Sequence, residues 1–376
     1  MGARRDSAEG ERAARRCFET AFPGDFPFSF VPCRRPMTNA SSIDRFFAGL
    51  RAVLEKGLLL WLVLLCLAAF VWPNLIGDRV IDPFVQGRTT LPYWIAVTML
   101  AIGSLLPPEE VRGVLRRWPR ILGGTTTQYL SMPLLAYVCG RAFGLEGPWL
   151  IGILMAGCVP GAMASNVLTL LARGNVSYSV GLTTSATLLS PLVVPAVMYV
   201  TVGRVATFPV GKTAVDLAWM VVAPVVTGYI LSRIWPVWAT WADRLGAIVA
   251  NITILWIIAV VVGVNRQNMQ AVTGTLAAAL LTLNAAGYVA GFLAGGAMRL
   301  DKGMRRALTL EVGMQNAGLG TTLALALFPD QPQVAIPCAL YTFGCMFTGS
   351  VLARFWAAIP ISKTDEKASD SADGTD

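Results

Sequence analysis

Glu311, Gln315 and Asn316 fall inside LEVGMQNAGLG (Leu310–Gly320), a run otherwise as apolar as a lipid-facing helix. An ionised carboxylate at hydrocarbon depth is costly unless a countercharge or a wet cavity meets it. Arg305 and Arg306 are the nearest bases and lie more than a helical turn away, and no other Lys or Arg is central in an apolar segment. The missing countercharge is therefore read as a bound cation, with a proton on Glu311 as the competing chemistry. Carboxylate, amide, hydroxyl and backbone oxygens together suit a hard ion. Sodium is the natural choice for a carrier, because the membrane potential adds about 2.3 kcal/mol per charge per 100 mV to its inward movement.

A second polar cluster, CVPGAMASNVLT (Cys158–Thr169), interrupts another apolar segment. Pro160 removes a backbone donor and clashes with the preceding turn, and Gly161 adds freedom, so a helix is expected to break there. In hydrocarbon the freed carbonyls and amides must be satisfied by neighbouring protein or by a bound ion. A packed proline kink is the plainer outcome. Ser165 and Asn166 favour the ion, because they add oxygen acceptors where the backbone is already open.

The elements that must position these groups are membrane helices. Of 376 residues 55% are hydrophobic and 14% charged, with mean hydropathy +0.59, far from the roughly 25% charged content of soluble domains. About ten segments are long and apolar enough to cross a bilayer. They lie near residues 57–75, 92–107, 119–140, 148–172, 178–201, 213–234, 241–264, 273–297, 304–328 and 333–356. Short alternating segments of the kind that build a membrane barrel are not found. The expected fold is an all-α polytopic membrane protein of ten transmembrane helices.

Ten spans divide into two fives, and an odd number per half forces the halves into opposite orientations, the arithmetic of an inverted repeat. The domains expected are a disordered extension over 1–36, an amphipathic lead-in over 37–56, repeats over 57–201 and 213–356, and a disordered tail over 362–376. In each half the fourth span alone carries a dense polar cluster, which points to a transport site at the midplane. Basic residues are more numerous in the loops that face inward when both termini are cytoplasmic, so that orientation is chosen and the net charge of +8 is read as topology.

Other chemistries are poorly supplied. Histidine is absent, which removes imidazole triads, His metal sites and His proton relays. The seven cysteines lack paired CxxC spacing, so neither a disulfide scaffold nor a zinc site follows. A membrane enzyme would need a catalytic constellation, and the spans offer one central carboxylate. A sensor would be expected to carry a folded soluble domain, for which the terminal segments are too short and polar. The aromatic residues suit interfacial belts rather than a nucleic-acid surface.

PGAMASNVLTLLARGNVSYSVGLTTSATLLSPLVVP (Pro160–Pro195), EVGMQNAGL and QYLSMPLLAY (Gln128–Tyr137) occur in this order, and the chain resembles the bile acid:sodium symporter family through them, over nearly all of 57–356. The resemblance implies panel and core domains within the inverted repeat, with the fourth and ninth helices broken and crossing. It implies two sodium ions as coupling ions and no other cofactor. One sodium site would use Ser165, Asn166, Ser179, Thr183 and Glu311. The other would use Gln128 and Gln315 with Glu311 and the backbone carbonyls of Val312 and Met314. Asn316, with Pro160 and Gly161 at the crossover, would face the substrate cavity.

The residues themselves agree with this assignment while leaving plainer outcomes open. Ser179 and Thr183 are four apart and share a helix face, where their hydroxyls either turn to a ligand or bond back to the previous turn. Gln128 either serves an ion or bridges two helices. Two sodium ions beside one glutamate leave an excess positive charge, which favours a monoanionic substrate.

The expected function is a sodium-coupled symporter in the cell (inner) membrane, importing an organic monoanion of the bile acid, pantoate-like or 2-oxo acid class by alternating access. Proton-coupled or sodium-independent carriage, or export, by the same fold is the alternative. The partners expected are the small anion, sodium and the lipid bilayer, with no nucleic acid and no obligatory oligomer.

Overall fold

Proline and small polar caps mark where many of the helices begin. The computed structural model describes residues 42–76, 81–108 and 117–359. The 1–36 extension, the 362–376 tail and the inner-loop Arg112 and Arg116 lie outside the described residues. In chain order the helices are α1 (Ser42–Lys56), α2 (Leu58–Ile76), the short α3 (Pro83–Gly87), α4 (Leu91–Leu105) and α5 (Trp118–Ala142). Next come α6 (Gly147–Cys158), α7 (Ala164–Leu171), α8 (Val176–Thr201), α9 (Val210–Leu217), α10 (Ala223–Ile234) and α11 (Pro236–Val264). The last are α12 (Gly274–Ala297), α13 (Lys302–Gly313), α14 (Ala317–Leu327) and α15 (Ala335–Ala357). A single π-helical turn, Ala218–Val222, joins α9 to α10.

Among the described residues five of these starts are capped by a side chain that accepts an otherwise unpaired amide, Thr273 taking Leu276 N at 3.3 Å before α12. Asp82 takes Phe84 N at 2.9 Å, Asn175 takes Tyr178 N at 2.8 Å, Asp301 takes Met304 N at 2.9 Å and Asn316 takes Leu319 N at 3.2 Å. Among the described residues the only strand-like pairing is one isolated bridge, Gly161 to Gln315.

Among the described residues five continuous segments are long and apolar enough to cross a membrane: Val176–Arg204, Val210–Ile234, Pro236–Val264, Gly274–Ala297 and Pro332–Ala357. The other segments expected from sequence are helical too, but fall short of this length or hydropathy for local reasons. The stretches 147–171 and 302–327 are each cut in two. α13 begins KGMRR and α5 carries Arg120 and Thr125–Gln128, which dilutes their apolar character, while α4 spans 15 residues.

The helices pack as two groups. In one, α4 lies against both α10 and α11, and α11 packs on α1 and α2. The α4–α10 crossing is close enough that a Cβ on Gly228 would sit 2.1 Å from the Leu100 carbonyl oxygen, so only glycine fits. In the other group α5 packs on α6, α8 and α12, α12 on α13, and α15 on α14, α12 and α6. The large buried cluster runs through this second group and includes Met132, Leu154, Leu182, Leu308 and Leu323. α1 packs on α11 through Phe47 against Trp241, while Phe46 and Val53 stay exposed.

Candidate ion and substrate site

The two interruptions in the second group meet. α6 stops at Cys158 and α7 starts at Ala164, while α13 stops at Gly313 and α14 starts at Ala317. Between them, Ala162 N donates to the Met314 carbonyl at 2.8 Å and Asn316 N donates to the Pro160 carbonyl at 2.7 Å, flanking the Gly161–Gln315 bridge. Backbone groups released by each break are thus paired with the other, which answers the satisfaction demanded at membrane depth. Gly161 is required by this crossing. A Cβ there would fall 2.1 Å from Glu311 Oε1 and 3.2 Å from Gln128 Nε2.

Glu311 is fully buried and projects from the last turn of α13 into a shell of hydroxyls. Ser165, at the start of α7, donates to Oε2. Thr183 Oγ1, on α8, lies 2.7 Å from Oε1 and 2.8 Å from Oε2. It is also 3.1 Å from the Ser179 carbonyl, so its one proton chooses between the carboxylate and the preceding turn. Ser179 Oγ donates to Asn166 Oδ1 at 2.8 Å, and Thr169 Oγ1 donates to Ser179 Oγ at 3.2 Å. Ser165, Asn166, Ser179, Thr183 and Glu311 therefore form one cluster, drawn from three helices.

A second cluster adjoins it. Gln128 Nε2 donates to Gln315 Oε1 at 3.2 Å, and Gln315 Nε2 donates to the Val312 carbonyl at 2.9 Å. Both glutamines are buried, and Gln128 Oε1 has no hydrogen-bond partner among the described residues. A buried acceptor left over in this way costs free energy unless a cation or a water meets it. Gln128 thus ties α5 to the segment between α13 and α14 and also presents an unused oxygen.

The remaining expected residues are placed differently from one another. The Met314 carbonyl accepts Ala162 N and the Val312 carbonyl accepts the Gln315 amide, so each offers only its second lone pair. Asn316 is half-buried and caps α14 with Oδ1. Pro160 is buried at the crossing.

Among the described residues no ion pair reaches Glu311. Arg305 donates to the Phe292 carbonyl and Arg306 to the carbonyls of Ala172, Trp356 and Ile359. No group of three or more Cys, Asp or Glu gathers among the described residues, so the negative charge here is one carboxylate. The donor set is hard oxygen throughout, which fits an alkali cation as cargo better than a transition metal.

Sequence reasoning missed Thr169, Asn284 and Tyr341. Asn284 Nδ2 and Tyr341 OH both donate to the Gly313 carbonyl, at 2.7 Å and 2.8 Å. The lone amide in GTLAAALLTLNAAGYVAGFLAGGA was the available signal, since an isolated Asn in an apolar span must find a partner.

Two interrupted helices crossing at a buried, oxygen-lined carboxylate, in a protein with several membrane-length helices, describe the class of ion-coupled membrane carriers. The chain belongs to the sodium bile acid symporter family, whose model matches residues 92–301. It is 30% identical over 300 residues to an uncharacterized sodium-dependent transporter of Bacillus subtilis (strain 168), covering 79% of this chain and 90% of that one. It is 27% identical over 297 residues to an Arabidopsis thaliana protein named "Probable sodium/metabolite cotransporter BASS1, chloroplastic", covering 79% and 72%. To the ileal sodium/bile acid cotransporter of Homo sapiens it is 29% identical over 278 residues, covering 72% and 77%. It is accordingly a sodium-dependent transporter and not an enzyme.

Proposed function

We propose that the protein is a sodium-coupled symporter that imports an organic monoanion by alternating access. The observation that carries this is Glu311: fully buried, ringed by hydroxyls, and without an ion pair among the described residues. A carboxylate so placed needs a mobile countercharge. One sodium would be held by Glu311, Ser165, Asn166, Ser179 and Thr183, the hydroxyls rotating their lone pairs onto the ion. A second would lie against Gln128, whose Oε1 is unused, with Gln315, Glu311 and the second lone pairs of the Val312 and Met314 carbonyls.

The substrate follows from charge. Two sodium ions beside one carboxylate leave an excess positive charge, which favours a monoanion at the crossover. There α14 begins after Asn316, and the amide-rich end of a helix attracts anions. Asn316, flanked by Pro160 and Gly161, is the cavity residue in this reading. The names of the relatives, which include bile acid and metabolite cotransporters, support an organic anion of the bile acid, pantoate-like or 2-oxo acid class.

The ten helical segments read as two inverted repeats, 57–201 and 213–356. The α2, α4 and α9–α11 group would form the panel and the rest the core. The core would move against the panel while both termini remain cytoplasmic, in a cell membrane, with no oligomer needed.

Thermal unfolding of the detergent-purified protein in sodium versus potassium chloride tests this reading. A ligand that binds only the folded state stabilises it by about 2.7 kcal/mol at a hundredfold excess over its dissociation constant. Sodium is expected to raise the midpoint where potassium does not, and Glu311→Ala to abolish the difference. Equal action of the two salts, with uptake abolished by collapse of a proton gradient, would replace sodium by a proton on Glu311.

A further inference from the structure

The carbonyls freed at the end of α13 are each held by a different neighbour. The Val312 oxygen takes the Gln315 amide, the Met314 oxygen takes Ala162 N, and the Gln315 oxygen takes Ala317 N at 2.8 Å. Gly313 is the exception in kind, because both donors on its oxygen are side chains from helices behind the site: Asn284 of α12 and Tyr341 of α15. The nitrogen of the same peptide unit, Met314 N, donates to the Leu310 carbonyl at 3.0 Å. Both ends of that peptide plane are therefore fixed.

Asn284 is itself fixed. Thr348 Oγ1 donates to its Oδ1, and Tyr288 OH lies 3.1 Å from the same hydroxyl and 3.2 Å from the Cys345 carbonyl. Asn284 and Tyr341 are each 1% exposed, so water cannot replace them. Rotation of the Gly313–Met314 peptide would swing Gln315 away from Gln128 and change the lie of Val312 and Met314. Glu311 leaves the helix only two residues earlier.

We propose that Asn284, Tyr341 and Thr348 are positioning residues for the ion site: they touch neither ion nor substrate, and they hold the Gly313 peptide so that the oxygens of the 311–315 segment are preorganised for sodium. The inference rests on the sodium reading of Glu311. Ligand oxygens must be held to within about half an ångström for full affinity, and groups that orient ligands matter nearly as much as the ligands. Loss of the bracket therefore lowers sodium affinity, beyond any loss of stability.

The test is a sodium titration of the thermal midpoint for the full-length wild type, Tyr341→Phe, Asn284→Leu and a control, Thr98→Val. Thr98 donates to Thr253 at 2.8 Å between α4 and α11, in the other helix group. All three variants lose one or more buried hydrogen bonds and are expected to melt lower in the absence of sodium. Only Tyr341→Phe and Asn284→Leu are expected to raise the half-saturating sodium concentration, by roughly fivefold, or about 1 kcal/mol. Lowered midpoints with a wild-type half-saturation in both would make the bracket merely structural and overturn the proposal. A wild type that does not respond to sodium would overturn the sodium reading itself, and the positioning role with it. Tyr341→Phe, which removes one hydroxyl, keeps the question open to measurement should Asn284→Leu fail to fold.

Discussion

A single added methyl group at Gly161 would collide with the Glu311 carboxylate, 2.1 Å from Oε1. Gly161→Ala is therefore expected to displace the carboxylate from Ser165 and Thr183 and to raise half-saturating sodium in an uptake assay by more than about tenfold, since small misplacements at a site are expensive. Unchanged sodium dependence in that variant would separate Glu311 from ion binding. Gln128 offers a subtler test, because its amide joins Gln315 while its oxygen has no partner among the described residues. Gln128→Ala should weaken the sodium dependence of uptake yet leave some transport, whereas Glu311→Ala should abolish coupling. The backbone at the crossing explains why the effects differ: Glu311 borders both clusters, and Gln128 borders one.

Helix ends carry the next level of order. Arg306 is 8% exposed and sends its guanidinium to the carbonyls of Ala172, Trp356 and Ile359, the C-terminal ends of α7 and α15. A cation there complements both helix dipoles and satisfies orphan carbonyls. Its work is to tie two helices together. Arg306→Met should lower the thermal midpoint by an amount equivalent to about 3 kcal/mol, through the carbonyls it leaves unpaired.

Arg173 gives the opposite expectation. It follows α7 with φ 56°, and Gly174 N closes the turn on the Thr169 carbonyl at 2.8 Å. A side chain in that left-handed conformation costs about 1 kcal/mol relative to glycine, and Arg173 also sits near enough to repel Arg306. Arg173→Gly should therefore raise the midpoint, and a fall would show that the Arg173 side chain makes stabilising contacts of its own.

At the scale of the whole molecule, the two polar clusters lie within one helix group, and the other group packs alongside it through α9 on α8 and α11 on α14 and α15. Motion of one group against the other, as proposed above, would leave the crossing intact. The α4–α10 crossing of the first group is close-packed, since Gly228 admits the Leu100 carbonyl where a Cβ would clash. In the proposed stoichiometry, two sodium ions with one monoanion would move one net charge. Uptake into proteoliposomes should then respond to an inside-negative potential, with about 2.3 kcal/mol of extra driving force per 100 mV. Accumulation indifferent to potential would reduce the coupling to one sodium per anion.

How much of this was legible can be judged from particular residues. Apolar length marked the helices, because covering roughly 30 Å of hydrocarbon leaves little freedom in composition. Asn175 and Asp301 stand where helices start, since capping is a local matter of one side chain and amides within three residues. Proline was ambiguous: Pro133, Pro191 and Pro195 lie inside continuous helices, whereas Pro160 marks a break. The difference is tertiary, because the Pro160 carbonyl finds its partner in Asn316 N, far along the chain. The types of the site residues were legible, but periodicity says only which residues share a face and never which face meets which. Ser165 and Thr183 reach Glu311 across 146 and 128 residues of sequence, and Asn284 reaches Gly313 across a helix boundary. Those contacts exist because the two breaks cross and helices pack around the crossing, a constraint that belongs to the packed molecule rather than to any segment of it.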